Sequence, residues 1–109
     1  MKPHGRIPHW WDQLRLDTAL AASGGATPCF VYDLGIVRDK VAALRAALPP
    51  GVGIHYAMKA NPLPAFVAAV APLVDGIDIA SGGELIVARG HARHISFAGP
   101  GKRDAELTA

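Results

Sequence analysis

The sequence has a single cysteine, no long apolar run and no block of like charge, and each of these absences excludes a class of protein. Because Cys29 stands alone among 109 residues, the chain can form neither an internal disulfide nor a CxxC metal motif. No run reaches the roughly 20 apolar residues of a membrane helix, and the opening residues MKPHGRIPHWW lack the apolar stretch of a signal peptide. We therefore expect a cytoplasmic protein with no membrane partner.

Charge is scattered along the chain. The 11 basic and 9 acidic residues give a net charge of +2, without a run of about five or six like charges, so we expect no nucleic-acid partner. No cysteine or carboxylate stands at ligand spacing beside a histidine, so we expect no metal site. Half of the residues are hydrophobic, which predicts a chain that folds around a core.

A unit of strand, turn and helix occurs three times after residue 51. Strands are predicted over 52–59, 76–80 and 94–99, with helices that begin near Pro62, Gly82 and Asp104. Strands that alternate with helices in this way predict a parallel sheet with right-handed connections. Earlier in the chain, the spacing of apolar residues predicts a helix over 35–48, which Pro49 and Pro50 end.

The first part of the chain lacks this regularity. Residues 1–26 have no sustained period, and we expect them to be poorly ordered apart from a short helix around 10–16. A turn is predicted at residues 23–25, which read Ser-Gly-Gly. A short β-rich run follows at residues 29–34.

Within the predicted strands, large apolar side chains alternate with small or polar ones. The first strand places Ile54, Tyr56 and Met58 on one face and His55, Ala57 and Lys59 on the other. The large apolar face is typical of a sheet that packs under helices. On the other face, Ala57, Ala80 and Ala98 leave room for a ligand near the C-terminal ends of the strands.

We therefore predict an α/β fold that is a partial (β/α)8 barrel of the TIM type, with about three βα units present. The alternative is an open doubly wound sheet, which has helices on both faces and is expected to carry large side chains on both. The small residues of the second face favour the barrel.

Lys59 is the main candidate for chemistry. It follows a predicted parallel strand, at the end where α/β folds place their active sites. A lysine partly withdrawn from water can lose its proton, attack a carbonyl and form a Schiff base. The alternative is a lysine that extends into solvent with no chemical role. Beyond it, Asn61 is predicted to cap a helix and Pro62 to occupy its first turn.

Three further polar residues lie near the predicted strands. Asp78 is expected to face the same way as Lys59, and it either acts on what the lysine carries or forms an ion pair with it. Ser81 and Glu84 fit the capping box S-x-x-E, which favours a structural role for Glu84. His55 is predicted to be a packed core histidine rather than a ligand.

Four motifs together resemble a known family. TPCFVYD, HYAMKANP, GIDIASGGEL and ISFAGPGKRDAEL, in this order and spacing, resemble the N-terminal part of the fold-type III pyridoxal-phosphate decarboxylases, which include diaminopimelate, ornithine and arginine decarboxylases. SGGEL is more similar to the diaminopimelate branch. MKPHGRIP together with SFAGPGKRDAEL resembles the exosortase-system-associated subgroup.

The resemblance implies an activity and a cofactor. It implies a carboxy-lyase that acts on diaminopimelate, ornithine, arginine or a related amino acid, and a homodimer for the full-length enzyme. It implies that Lys59 is catalytic and binds pyridoxal 5'-phosphate as a Schiff base. Asp78 matches a family aspartate beside the cofactor, and Ala57 is the third expected cofactor-binding residue.

The resemblance also implies a domain arrangement. Residues 1–26 are an N-terminal segment, 27–34 a strand of a β-rich second domain, and 35–109 the N-terminal part of a pyridoxal-phosphate-binding barrel. A complete barrel takes roughly 250 residues, so we expect a truncated chain that is inactive alone. The family's residues for the phosphate, the pyridine nitrogen and the substrate carboxylate are expected beyond Ala109.

Three alternatives to a decarboxylase remain at this point. One is a pyridoxal-phosphate-dependent amino-acid racemase on the same barrel, although GIDIASGGEL resembles racemases less well. Another is a non-catalytic pyridoxal-phosphate carrier, which the β-rich run TPCFVYD disfavours. The last is a truncated remnant with no function of its own.

Overall fold

The computed structural model describes residues 12–26, 28–98 and 103–108. The chain divides into two compact units, one of residues 1–33 and one from residue 34 onward. Across the described residues, no helix is long and apolar enough to cross a membrane.

The described part of the first unit contains helix α1 (Gln13–Ala22). The helix begins after Asp12, whose carboxylate accepts hydrogen bonds from the backbone N–H groups of Leu14 at 2.8 Å and Arg15 at 3.2 Å. It therefore begins and ends later than the helix predicted around residues 10–16, of which residues 10 and 11 lie outside the described residues. The turn predicted at residues 23–25 is present.

Residues 28–33 form neither helix nor strand. The rings of Phe30 and Tyr32 stack with their centroids 6.5 Å apart. The guanidinium of Arg15 forms an ion pair with Asp33 at 3.0 Å, which ties α1 to this segment. The assignment of residues 27–34 to a strand of a second domain stays a prediction.

The second unit is built on a three-stranded parallel sheet in the order β1-β2-β3. Its strands are β1 (His55–Ala57), β2 (Gly76–Ile79) and β3 (Ile95–Phe97). Its helices are α2 (Leu34–Ala47), α3 (Pro64–Val70), α4 (Gly82–Ala88) and α5 (Asp104–Leu107), with 3-10 turns at Met58–Ala60 and Ala71–Leu73. The predicted alternation of parallel strands and helices is thus confirmed as an α/β arrangement, although each strand is shorter than expected.

Helix α2 agrees with the sequence pattern to within one residue at each end. Pro49 and Pro50 follow its last turn, where they cannot continue the hydrogen-bonded ladder. Gly51 then has a φ of 85°, a left-handed conformation that side chains with a Cβ rarely adopt. The chain can therefore turn at once toward β1.

One face of the sheet forms the hydrophobic core with α3 and α4. The core cluster consists of Met58, Val67, Ala71, Ile77, Ile79 and Ala88. Ile77 and Ile79 are each 1% exposed, and burying an aliphatic side chain of this size stabilises a fold by about 1.5–3 kcal/mol. The alternation predicted for the strands is confirmed on this face, while on the other face His55 is exposed and Asp78 and Ser96 are half-buried.

A polar junction holds the segments that enter β1 and β2. The Asp75 carboxylate accepts a hydrogen bond from the backbone N–H of Ile54 at 2.8 Å and forms an ion pair with Arg45 of α2 at 3.1 Å. Arg45 also donates to the backbone carbonyl of Leu73 at 3.0 Å. The hydrogen bonds from Ile54 and Arg45 lower the pKa of the Asp75 carboxyl below its ordinary value.

Candidate functional site

Lys59 lies in the 3-10 turn that follows β1, and not in the strand itself. Met58, at the start of this turn, is fully buried in the core, whereas Lys59 is exposed. The prediction that the strand continues to Lys59 is therefore wrong, and so is the expectation that burial withdraws its amine from water. The strand ends at Ala57, because the pair of Ala57 and Asp78 is the last one between β1 and β2.

The loop around Lys59 is closed by a hydrogen bond. The Tyr56 hydroxyl donates to the backbone carbonyl of Asn61 at 2.8 Å, so residues on both sides of Lys59 are joined. The half-buried Tyr56 ring also packs on Phe66 of α3, with a centroid distance of 5.9 Å. Lys59 thus projects from a turn that is fixed at both ends.

Asn61 does not cap α3 as predicted. Its side-chain carbonyl accepts a hydrogen bond from the backbone N–H of Leu63 at 3.1 Å, which turns the chain two residues before the helix. The helix begins at Pro64, so Pro64 and not Pro62 occupies the first turn. A proline in the first turn is therefore confirmed two residues later than predicted, whereas the residue at the helix N-cap, Leu63, has no side-chain capping bond.

Asp78 lies at the centre of the face opposite the core. In the register of the sheet it stands between Ala57 on β1 and Ser96 on β3. The Ser96 hydroxyl donates to Asp78 Oδ1 at 2.9 Å. Within the described ranges, Lys59 and Asp78 form no ion pair, so of the two roles considered for Asp78 the ion pair is not the one observed.

His55 on β1, Asp78 on β2 and Ser96 on β3 form a polar row on this face of the sheet. Nδ1 of His55 lies 3.1 Å from the Ser96 hydroxyl oxygen, although β2 separates the two strands. The imidazole passes over Gly76, where an added Cβ would lie 2.7 Å from two ring atoms of His55. The prediction of a packed core histidine is wrong, because the absence of a side chain at Gly76 gives the ring a path across the sheet.

Ser96 contacts both Asp78 and His55 and was not identified from the sequence as part of the candidate site. Its position on β3, facing the same way as Asp78, is a signal that could have identified it. A serine in an otherwise apolar strand needs a hydrogen-bond partner when it is partly buried. The register of β2 and β3 supplies that partner directly opposite.

Glu84 has a structural role at the end of β2. The Ser81 hydroxyl accepts a hydrogen bond from the backbone N–H of Glu84 at 3.2 Å, which is one half of the predicted capping box. The Glu84 carboxylate accepts from the backbone N–H of Ala80 at 2.7 Å, where the box would use Ser81. Glu84 therefore joins the start of α4 to the end of β2.

Three alanines border the C-terminal edge of the sheet. Ala57 is half-buried, and Ala80 and Ala98 are exposed. Because parallel strands end at one edge, these small side chains share an edge with the turn that carries Lys59. The described residues thus combine an exposed primary amine and an oriented carboxylate with side chains of small volume.

Comparisons with known proteins agree on a single family. A family model described as "Pyridoxal-dependent decarboxylase, pyridoxal binding domain" matches residues 34–109. The diaminopimelate decarboxylase of Aquifex aeolicus is 40% identical over 85 residues, which cover 75% of this chain and 20% of that protein. The diaminopimelate decarboxylase of Bacteroides thetaiotaomicron is 37% identical over 86 residues, covering 74% and 22%.

A further relative is named for another substrate. The 2-[(L-alanin-3-ylcarbamoyl)methyl]-2-hydroxybutanedioate decarboxylase of Staphylococcus aureus is 36% identical over 80 residues, which cover 72% of this chain and 20% of that protein. The chain therefore spans about a fifth of the length of the curated relatives it matches.

Proposed function

Because the chain belongs to the pyridoxal-dependent decarboxylase family, we propose that it is the N-terminal portion of a pyridoxal-phosphate-dependent amino-acid decarboxylase. Lys59 is the residue that attaches the cofactor, and Asp78 and Ala57 line the same site. The observation that carries the proposal is the exposed Lys59 amine, held in a closed turn at the C-terminal end of β1 within the matched region. On this proposal, the three strands of the described sheet belong to a larger barrel.

The described residues fit pyridoxal phosphate. Attachment of an aldehyde requires a primary amine that can be reached, and Lys59 meets this requirement because it is exposed. The planar cofactor needs space beside that amine, and Ala57 adds only a methyl group to the face that carries Asp78. When bound, pyridoxal phosphate supplies the electron sink for the bonding electrons that remain when carbon dioxide leaves.

The residues of this chain would hold the cofactor and orient the groups around it. Lys59 would hold the cofactor through its amine, and its turn is fixed by the Tyr56 hydroxyl. The carboxylate of Asp78 would supply negative charge beside the cofactor, on the face of the sheet that also carries Ala57. Ser96 donates to Asp78 Oδ1 and so restricts how that carboxylate can rotate.

The relatives favour decarboxylation over the alternatives. Three are named as decarboxylases, of which two are diaminopimelate decarboxylases. Diaminopimelate is accordingly our first proposal for the substrate, followed by ornithine, arginine or a related amino acid. We also propose that the whole protein is a homodimer, as the family resemblance implies, and that it is cytoplasmic.

Covalent trapping tests the site. The chain is incubated with pyridoxal phosphate and sodium cyanoborohydride, digested, and mapped by mass spectrometry. We expect the label on Lys59 and its loss in Lys59→Ala, while Lys40→Ala, which removes an exposed lysine of α2, keeps it. Equal labelling of Lys40 and Lys59 in the unaltered chain would refute the assignment.

A further inference from the structure

In the polar row of His55, Asp78 and Ser96, the hydrogen bonds determine which atoms carry the protons. Ser96 has one hydroxyl proton, and the hydrogen bond to Asp78 Oδ1 at 2.9 Å uses it. The Ser96 oxygen can therefore only accept from His55, whose Nδ1 is 3.1 Å away. It follows that Nδ1 of His55 carries a proton and that Asp78 Oδ1 is an acceptor.

If these hydrogen bonds ran in the opposite direction, the protons would lie on different atoms. If Asp78 were protonated, its hydroxyl could donate to Ser96, and Ser96 could donate to His55 Nδ1. The proton of neutral His55 would then lie on Nε2. The tautomer of His55 thus reports the direction of the hydrogen-bond chain, although His55 and Asp78 lie on different strands.

We propose that His55 and Ser96 are positioning residues for Asp78, through a chain in which His55 Nδ1–H donates to Ser96 and Ser96 donates to Asp78 Oδ1. This proposal rests on the proposed function only in its last step, the effect on Lys59. The chain fixes one oxygen of the carboxylate and leaves Oδ2 as the acceptor for a donor on a ligand. Gly76 is part of the device, because a Cβ there would occupy the path of the imidazole.

The hydrogen-bond chain depends on the register of all three strands. Asp78 and Ser96 are direct partners in the parallel register, so their bond needs no distortion of the sheet. His55 is paired with Gly76, and a side chain at that position would block the path of the imidazole to Ser96. Ser96 acts only through Asp78, and its substitution is expected to change orientation without removing the carboxylate.

Nuclear magnetic resonance of the histidine ring nitrogens tests the chain of hydrogen bonds without any cofactor. At about pH 8, where imidazole side chains are neutral, we expect His55 in the Nδ1–H tautomer, with the exposed His91 as an internal control. Ser96→Thr retains the hydroxyl and keeps this tautomer, whereas Ser96→Ala and Asp78→Ala lose the preference. An Nε2–H tautomer in the unaltered chain, or one that Ser96→Ala does not change, would overturn the proposal.

Trapping with pyridoxal phosphate and cyanoborohydride tests the consequence for Lys59. A hydrogen bond to a carboxylate is strong enough for its loss to slow labelling by about tenfold, so we expect this in Ser96→Ala and recovery in Ser96→Thr. If both variants label Lys59 at the original rate, the positioning role is refuted while the cofactor site stands. If the unaltered chain leaves Lys59 unlabelled, the proposed function fails, and the tautomer still decides the hydrogen-bond chain.

Discussion

Gly76 faces the imidazole of His55 so closely that a Cβ on the glycine would lie 2.7 Å from both Cε1 and Nε2 of the ring. The same Cβ would lie 2.9 Å from the backbone carbonyl oxygen of His94, which cannot move as freely as a side chain. The glycine therefore serves both the packing of the sheet and the path of His55 to Ser96.

Gly76→Ala is expected to lower the free energy of unfolding by about 1–3 kcal/mol, the range typical of an overpacked interior. Gly53→Ala is the matched control, because its nearest neighbour would be the Asp75 side chain at an ordinary 3.7 Å. Urea unfolding followed by circular dichroism measures both variants. Equal stability of the two would show that the ring and the backbone make room for the methyl group.

Tyr56→Phe tests the closed turn around Lys59. The substitution keeps the ring that packs on Phe66 and removes only the hydroxyl that donates to Asn61. We expect a loss of about 1 kcal/mol in the free energy of unfolding, the usual net value of such a hydrogen bond. Backbone amide exchange in residues 58–61 is expected to become faster, and unchanged exchange would mean that the turn is held by other contacts.

Ala57→Val tests the space beside Asp78. Valine suits a strand, so the fold is expected to persist, while two added methyl groups fill the face where we place the cofactor. We expect cyanoborohydride trapping at Lys59 to fall by about tenfold, on the scale of moderate overpacking. Ala43→Val on the exposed side of α2 is the control, and similar trapping in both variants would remove Ala57 from the site.

Asp75→Asn tests the acid dependence of stability. The folded-state pKa of Asp75 lies below its ordinary value of 3.8, because Ile54 N–H and Arg45 bind the ionised carboxylate. Its contribution is therefore fully present above that value and is lost as the pH falls through the lowered pKa. We expect Asp75→Asn to be less stable near neutral pH and to lose less stability on acidification than the unaltered chain.

Unfolding by urea at a series of pH values measures this difference. Asp39→Asn, which changes an exposed carboxyl of α2, is the control and should follow the unaltered chain. Parallel curves for Asp75→Asn and the unaltered chain would show that the junction with Arg45 does not depend on the charge of Asp75.

The fold was readable from the sequence where the pattern is local. The spacing of apolar residues identified α2 to within one residue at each end, and the alternation around Ile77 and Ile79 identified the buried face. Strand ends were less accurate, because a strand lasts only as long as a neighbouring strand offers hydrogen bonds. Because the pair of Ala57 and Asp78 is the last one between β1 and β2, β1 ends before Lys59.

The assignment of Lys59, Asp78 and Ala57 to a cofactor site stays a prediction. Lys59 was singled out by its place after a strand and Asp78 by the face that it shares with this lysine, but the exposure of Lys59 follows from a 3-10 turn that the apolar pattern does not signal. The contact between His55 and Ser96 was out of reach, because it depends on a glycine in a third strand and on the register of all three. Such a contact joins residues 41 positions apart, and local spacing carries no information about it.

The junction of Asp75 with Ile54 and Arg45 lies where β1 and β2 begin, whereas Lys59 lies just past the end of β1. The residues that stabilise the start of the sheet are therefore not those of the proposed cofactor site. A substitution at Asp75 should consequently change the free energy of unfolding, whereas a substitution of the exposed Lys59 should leave it nearly unchanged.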